Sequence, residues 1–393
     1  MRRVAVVLLG LVLAAAPAGA ATRADSPLAT RLAKALQVPH VAAARSAAIA
    51  IDLDNNAIVF RQNGSRGLAP ASNEKLAVTY AALIALGPTA RIDTSVDLDS
   101  NGDIYLVGGG DPTLSSGDLT VLARQVRATG VRQVARVLGD ESLFDARRTA
   151  PGWKPSFYIN ESPPLSALVV DRARYGGHIT RAPALAAALL FRNALRAAGI
   201  RVTGAVDTAV SPPDAEQIAL VHSPPLGQLI AVMDRESDNF SAELLLKRLG
   251  LLQGIKGTTL AGAQTVMRIL GADGIPTTGV RIVDGSGLSE LDRLTVDALA
   301  AMLQSLYDDP TLRAAFLRSL PVAGESGTLR DRMRSAPLRG NVTAKTGTTN
   351  QASALAGFVK DRYVFAILQN GHPLSYWWAR KAQDRFATVL ATS

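Results

Sequence analysis

The chain has no cysteine among its 393 residues, which excludes disulfides, thiolate metal sites, cysteine nucleophiles and a lipid-bearing cysteine. Histidine is nearly absent too. His40, His178, His222 and His372 are scattered, with no H-E-x-x-H or other paired His/carboxylate pattern. No metal and no cofactor is expected from them. Lysine is scarce: arginine supplies all but eight of the 42 basic side chains. Aromatics make up 5% of the chain, and no block of five like charges or basic stretch interleaved with aromatics occurs, which argues against a nucleic-acid partner. What is plentiful is apolar: 48% hydrophobic against 19% charged residues, enough to exclude a largely disordered chain.

The first twenty residues read as a secretory signal peptide. Arg2 and Arg3 form a basic start, Val4 to Ala16 is apolar except for Gly10, and Ala18-Gly19-Ala20 is a small-residue cleavage site. A retained N-terminal anchor is the alternative. No later apolar run is long enough to span a bilayer, so no integral membrane segment is expected beyond this one. The expected location is exported: periplasm or cell-wall space. Loss of Arg2 and Arg3 takes the formal charge from +9 to +7, which suits anionic envelope polymers or lipid head groups, or simply a solvated surface.

Strands are expected over Ala47–Leu53 and Ala57–Gln62, with a turn at Asp54-Asn55-Asn56. A helix is expected from about Ser72 through Leu83, then a hairpin of Thr94–Leu98 and Ile104–Val107 around Asn101-Gly102. Helices follow at Leu119–Ala128 and Ala184–Ala198, with Pro183 in the first turn of the latter. The region from Pro225 to about Leu320 reads as mainly helical. Strands Asn341–Lys345, Ala352–Val359 and Tyr363–Gln369 and a helix Tyr376–Leu390 close the chain. Strands at both ends with helices between them predict an α+β domain whose sheet is completed by both termini. The expected division is a catalytic part at 21–90 and 206–393, with an accessory α/β segment inserted at 91–205.

Three short motifs carry chemistry. Ser72-Asn73-Glu74-Lys75 is the chain's one S-x-x-K, at the start of a predicted helix. A serine hydroxyl needs a neighbouring base to become a nucleophile. A lysine three positions on lies on the same helical face, and serves as base when burial or positive neighbours lower its pKa. Ser237-Asp238-Asn239 is the one S-x-N, between helical runs. Its Ser237 can relay a proton to a leaving amine, and its Asn239 can bind substrate backbone or hold Lys75. A helix N-cap is the structural alternative. Lys345-Thr346-Gly347 is the one K-T-G and ends a β-like run. An edge strand there can pair with an extended peptide, Lys345 and Thr346 offer charge and hydroxyl to a carboxylate, and Gly347 permits close backbone approach.

In this order the three motifs are those of penicillin-binding proteins and related β-lactamases. The chain resembles the low-molecular-mass class C penicillin-binding proteins, the D-alanyl-D-alanine carboxypeptidases/endopeptidases. Gly108-Gly109-Gly110-Asp111-Pro112-Thr113-Leu114, Pro164-Leu165-Ser166-Ala167-Leu168, Asp284-Gly285-Ser286-Gly287-Leu288-Ser289 and Leu320-Pro321-Val322-Ala323-Gly324 with Gly327-Thr328-Leu329 extend the likeness over most of the chain. The resemblance implies a transpeptidase-like, penicillin-recognising fold: an antiparallel sheet flanked by helices, with an accessory domain inserted. It implies Ser72 as acylated nucleophile, Lys75 as its base, and Ser237 and Asn239 as proton relay and substrate ligands. Lys345, Thr346, Gly347 and Thr348 would form the substrate strand, and the backbone N–H groups of Ser72 and Thr348 the oxyanion hole. Peptidoglycan stem peptides and β-lactam antibiotics are the implied partners. One departure stands out: Ser72 and Ser237 are 165 positions apart, a shorter interval than in members with two accessory domains, so one is taken as lost or reduced.

Other candidates carry less. Gly108-Gly109-Gly110 lacks a following G-K-[ST], and neither Ser286 nor Ser326 makes G-x-S-x-G. Trp377-Trp378 could form a binding platform, but is expected to pack a helix against the sheet. Besides the D,D-carboxypeptidase or D,D-endopeptidase reading stand a β-lactamase and a non-catalytic envelope binding module. The first of these alternatives lacks an E-x-x-L-N stretch between Asn239 and Lys345, and the second is at odds with an intact Ser72, Lys75 and Lys345.

Overall fold

The computed structural model describes residues 26–254 and 256–393; the predicted signal peptide lies outside them. Two five-stranded sheets organise the chain. The first runs in the order Val342–Thr349, Ala352–Val359, Tyr363–Asn370, Ser46–Asp52, Ala57–Gln62, and every neighbour pair in it is antiparallel. It is α+β as the sequence predicts, with strands from both ends of the chain joined where Ser46–Asp52 pairs with Tyr363–Asn370.

Every residue of Ser46–Asp52 and of Ala352–Val359 is buried, because helices cover both faces of the sheet and the strands therefore need no polar side. On one face the core gathers Ile49, Leu76, Tyr80, Ile230, Leu299 and Phe358. On the other, helices Pro27–Leu36 and Tyr376–Ala391 pack Leu32, Phe365, Ile367 and Phe386. Helix Glu74–Leu86 is buried at every position from Glu74 to Leu83. It shows no polar stripe in sequence because it runs through the centre of the domain.

The second sheet has the order Val206–Thr208, Val137–Asp140, Ile104–Val107, Asp93–Leu98, Glu216–His222, covered by helices Ser116–Ala128 and Pro183–Ala197. Both of its outer strands come after residue 205, and Glu216–His222 forms one edge. That strand is fixed by antiparallel pairing with Asp93–Leu98, a partner more than a hundred residues away that local pattern does not reveal. The segment leaves and rejoins the first unit side by side: Ser223 N–H donates to the Ile92 carbonyl at 2.8 Å.

Two expectations are amended. The strand carrying K-T-G continues to Thr349, so Lys345 sits in its middle and not at its end; Gly347 does not stop it because the missing side chain is what lets the strand pass the Pro70 carbonyl. Trp377 is 61% exposed and does not pack against the sheet; Ala379, Ala382 and Phe386 form the inner face of that helix. Among the described residues no helix is long and apolar enough to cross a membrane.

Candidate active site

Ser72 lies in a 3-10 turn, Ala71–Asn73, that leads into the helix Glu74–Leu86. In a 3-10 turn residues i and i+3 eclipse, and Lys75 Nζ lies 3.2 Å from Ser72 Oγ. Ala71, just before, takes a left-handed φ of 47°, which turns the serine out of the chain's course into the cleft. The turn is held from two sides by glycines. A Cβ on Gly347 would lie 2.7 Å from the Pro70 carbonyl oxygen, and one on Gly287 would lie 1.9 Å from that of Ala71. Neither approach tolerates a side chain.

Lys75 is fully buried. Its ammonium donates to Asn239 Oδ1 at 2.9 Å and to the Ser286 carbonyl at 2.6 Å. Burial holds it below the usual lysine value, against the opposing pull of Asp284, Asp238, Glu243 and Asp234. An amine so lowered is able to take a proton from a hydroxyl beside it.

Ser237 sits in the short connection between helices Leu226–Arg235 and Asn239–Gly250, in a left-handed conformation with φ 58°. Non-glycine residues adopt that region at a cost, and such strain concentrates at functional positions. Asp238 caps the second helix by accepting from Ser241 N–H at 3.1 Å. The capping role the sequence left open for this triplet therefore belongs to Asp238, leaving Ser237 and Asn239 free for other partners. Asn239 faces two ways: its Oδ1 accepts from Lys75, and its Nδ2 donates to the Glu161 carbonyl of the inserted segment at 3.1 Å.

Lys345 is also fully buried. Its Nζ donates to Ser237 Oγ and to the Thr346 carbonyl, both at 2.9 Å. Burial and the Lys75 charge push it down to about 7, with Asp234 opposing. Thr346 Oγ1 donates to Thr328 Oγ1 at 2.7 Å. The Lys345 ammonium therefore stands behind Ser237, while Ser72, Ser237, Thr328, Thr346 and Thr348 line a cleft of about 420 Å³. Its far wall is Asp331, Arg332, Arg380 and Asp384. The structure thus brings Ser72, Lys75, Ser237, Asn239, Lys345, Thr346, Gly347 and Thr348 around one cleft, with Gly347 against the Ser72 turn.

Sequence reasoning missed the acids beneath the site. Asp284 accepts from Gly287 N–H at 2.7 Å, Ser289 N–H at 2.8 Å and Trp153 Nε1 at 2.8 Å. Glu243 accepts from the N–H groups of Gly285 and Ser286, at 3.0 and 2.8 Å. These bonds shape the loop whose Ser286 carbonyl holds Lys75. So much buried acid in one place is not all ionised: burial and Asp284 raise Glu243 to about 8 and Asp292 to about 12, and Glu74 stands well above the ordinary carboxyl value. The Asp-Gly-Ser-Gly-Leu-Ser sequence was the available signal, but the contact it delivers is a backbone oxygen, which no residue type announces.

A helix-flanked antiparallel sheet, with a serine and a buried lysine at the foot of an edge strand bearing Lys-Thr-Gly, defines a penicillin-recognising serine hydrolase. The D-Ala-D-Ala carboxypeptidase 3 (S13) family model matches residues 28–182 and 177–393, and the chain belongs to that family. It is a low-molecular-mass class C penicillin-binding protein and a serine-type D-Ala-D-Ala carboxypeptidase. A D-alanyl-D-alanine carboxypeptidase of Actinomadura sp. (strain R39) is 30% identical over 91% of this chain and 83% of its own. A carboxypeptidase of Mycobacterium tuberculosis is 34% identical over 82% and 75%. Among solved structures, penicillin binding protein 4 of Haemophilus influenzae shares the fold, with a TM-score of 0.80, 22% identity and coverage of 93% of this chain and 98% of that one. The same protein complexed with a β-lactam gives 0.73, at the same identity and coverage.

Proposed function

We propose that Ser72 is the nucleophile acylated by the penultimate D-alanine of peptidoglycan stem peptides, and by β-lactam antibiotics in its place. Its Oγ attacks the carbonyl carbon while its proton passes to neutral Lys75. The C–N bond then breaks, and a proton returns to the departing D-alanine amine through Ser237. Water cleaves the resulting Ser72 ester. The N–H groups of Ser72 and Thr348 receive the developing oxyanion, a contribution whose loss typically costs about 3 kcal/mol per donor. Thr346 and Thr348 meet the terminal carboxylate in the cleft, and Lys345, behind them, supplies charge and orients Ser237. Asn239 fixes Lys75. The observation that carries this reading is the buried Lys75 Nζ 3.2 Å from Ser72 Oγ, tied to both other motifs through Asn239 and the Lys345–Ser237 bond. The β-lactam bound by the Haemophilus influenzae neighbour supports the antibiotic as a ligand.

The same acyl-enzyme serves a D-Ala cross-link, which would make the enzyme a D,D-endopeptidase as well. Such substrates place the protein outside the cytoplasm, in keeping with residues 1–20 as an export signal. The second sheet, closed by Glu216–His222, supports an accessory insertion from about 91 to 222 within a catalytic domain. The test is incubation with a fluorescent penicillin beside Ser72→Ala, following label and free β-lactam, then D-alanine release from a soluble peptide ending in D-Ala-D-Ala. Stable label on the wild type alone and D-alanine release are expected. Rapid β-lactam turnover with little trapped label would instead mark a β-lactamase. A folded protein that neither labels nor turns over would be a binding module.

A further inference from the structure

The helix Tyr376–Ala391 turns one face to the core and leaves the other open. Trp377, Lys381, Arg385 and Thr388 recur three or four positions apart, which places them on one side of the helix. Together with Leu374 and Ser375 they line a groove of about 790 Å³. Arg380 and Asp384 line both this groove and the catalytic cleft, so the two adjoin at these side chains. The Lys381 ammonium lies 4.3 Å from the centre of the Trp377 ring and 5.2 Å from that of Trp378, and the two indoles meet edge to face at 4.5 Å. Trp377 is thus exposed yet held in place by a cation on its ring and an aromatic at its edge.

We propose that this groove is a second subsite for the polymeric substrate, in which a pyranose ring of the peptidoglycan glycan strand stacks on Trp377. The inference rests on the peptidoglycan reading above. An indole face is electron-rich and meets the C–H face of a sugar ring, while the ring's hydroxyls need donors and acceptors at its rim. Lys381 and Arg385 supply donors, and Asp384, Ser375 and Thr388 supply acceptors. A lipid surface would also accept tryptophan and basic side chains. It is flat, however, whereas this site is concave and adjoins the cleft that holds the peptide end of the same polymer.

The test compares the wild type with Trp377→Ala and Lys381→Glu on two substrates: a soluble peptide ending in D-Ala-D-Ala and purified sacculi. Tryptophan fluorescence is titrated in parallel with a peptide-free GlcNAc–MurNAc oligosaccharide and with anionic phospholipid vesicles. Both variants should release D-alanine from the peptide at the wild-type rate, while kcat/KM on sacculi falls about tenfold. The oligosaccharide should shift the fluorescence of the wild type and not of Trp377→Ala. Equal rates on sacculi for all three proteins, or loss on both substrates alike, overturns the proposal. So does a response to vesicles without one to oligosaccharide. If the wild type releases no D-alanine from the peptide, the peptidase reading fails, and the oligosaccharide titration still decides the subsite by itself.

Discussion

Of the eight lysines, Lys75 and Lys345 are fully buried in the proposed site. The positive charge of Lys75 helps to push Lys345 down to about 7. Lys75→Met removes that charge and should let Lys345 keep its proton to higher pH. An NMR titration of the Lys345 side chain in the folded variant beside the wild type would show it, and an unmoved titration would mean that burial alone lowers Lys345. Glu243 offers a second residue-level test. Its carboxyl sits at about 8 in the folded protein against an ordinary 4.5, so the folded state binds more protons than the unfolded one between these values. Stability contributed by this group is then lost as pH rises from about 4.5 to about 8. Glu243→Gln keeps an oxygen for Gly285 and Ser286 and removes the titration, so its Tm should gain on the wild type steadily across that window. The three motifs were legible in the sequence because each is a set of side chains with distinct chemistry. The buried acids were not, since acids in a string carry no mark of what will cover them.

Among the elements, the K-T-G strand and the turn before helix Glu74–Leu86 are in backbone contact, and glycines make that contact possible. Gly347→Ala would set a Cβ 2.7 Å from the Pro70 carbonyl and 3.1 Å from Ser72 N, forcing strand and turn apart. A cost of about 1–3 kcal/mol is expected from such overpacking, read as a lower Tm, together with slower penicillin acylation. An unchanged acylation rate would show that the turn is held without the strand. The sequence showed that an edge strand should lie here but stopped it at Lys345, because Gly347 reads locally as a strand end. Only the Pro70 carbonyl across the gap explains why a glycine stands inside the strand. The helix bearing Ser72 was likewise legible in position, while its preceding 3-10 turn was not. That turn is fixed by contacts with Gly287 and Gly347, far along the chain.

At the scale of the molecule, the inserted segment reaches back to the catalytic motifs. Arg172 makes two bonds to the Asp238 carboxylate, at 3.0 and 2.7 Å, and lies over the Phe240 ring. Asp145 pairs with buried Lys247, Trp153 donates to Asp284, and Phe144, Leu165 and Ala167 share a core with Phe240 and Leu244. Because Ile92 and Ser223 are neighbours, a chain joining them directly is sterically simple. It should nonetheless label poorly with penicillin, since it bares Phe240 and Leu244 and leaves Asn239 without the Glu161 carbonyl. Full-rate acylation of that shortened protein would show the segment to be a passenger. Arg172→Ala is the milder case. Its ion pair is half exposed on the arginine side, so a loss of about 1 kcal/mol is expected in a denaturation midpoint.

The first sheet also sets a timetable. Ser46–Asp52 is made early in synthesis, yet its inner neighbour is Tyr363–Asn370, and the strand beside Ser72 is Val342–Thr349. Contacts of such long sequence separation form late. Until nearly the whole polypeptide has been made, Ser72 has no sheet to stand on and Lys75 has no pocket. A ribosome-bound chain is therefore an inert hydrolase, and the enzyme arms itself only on completion.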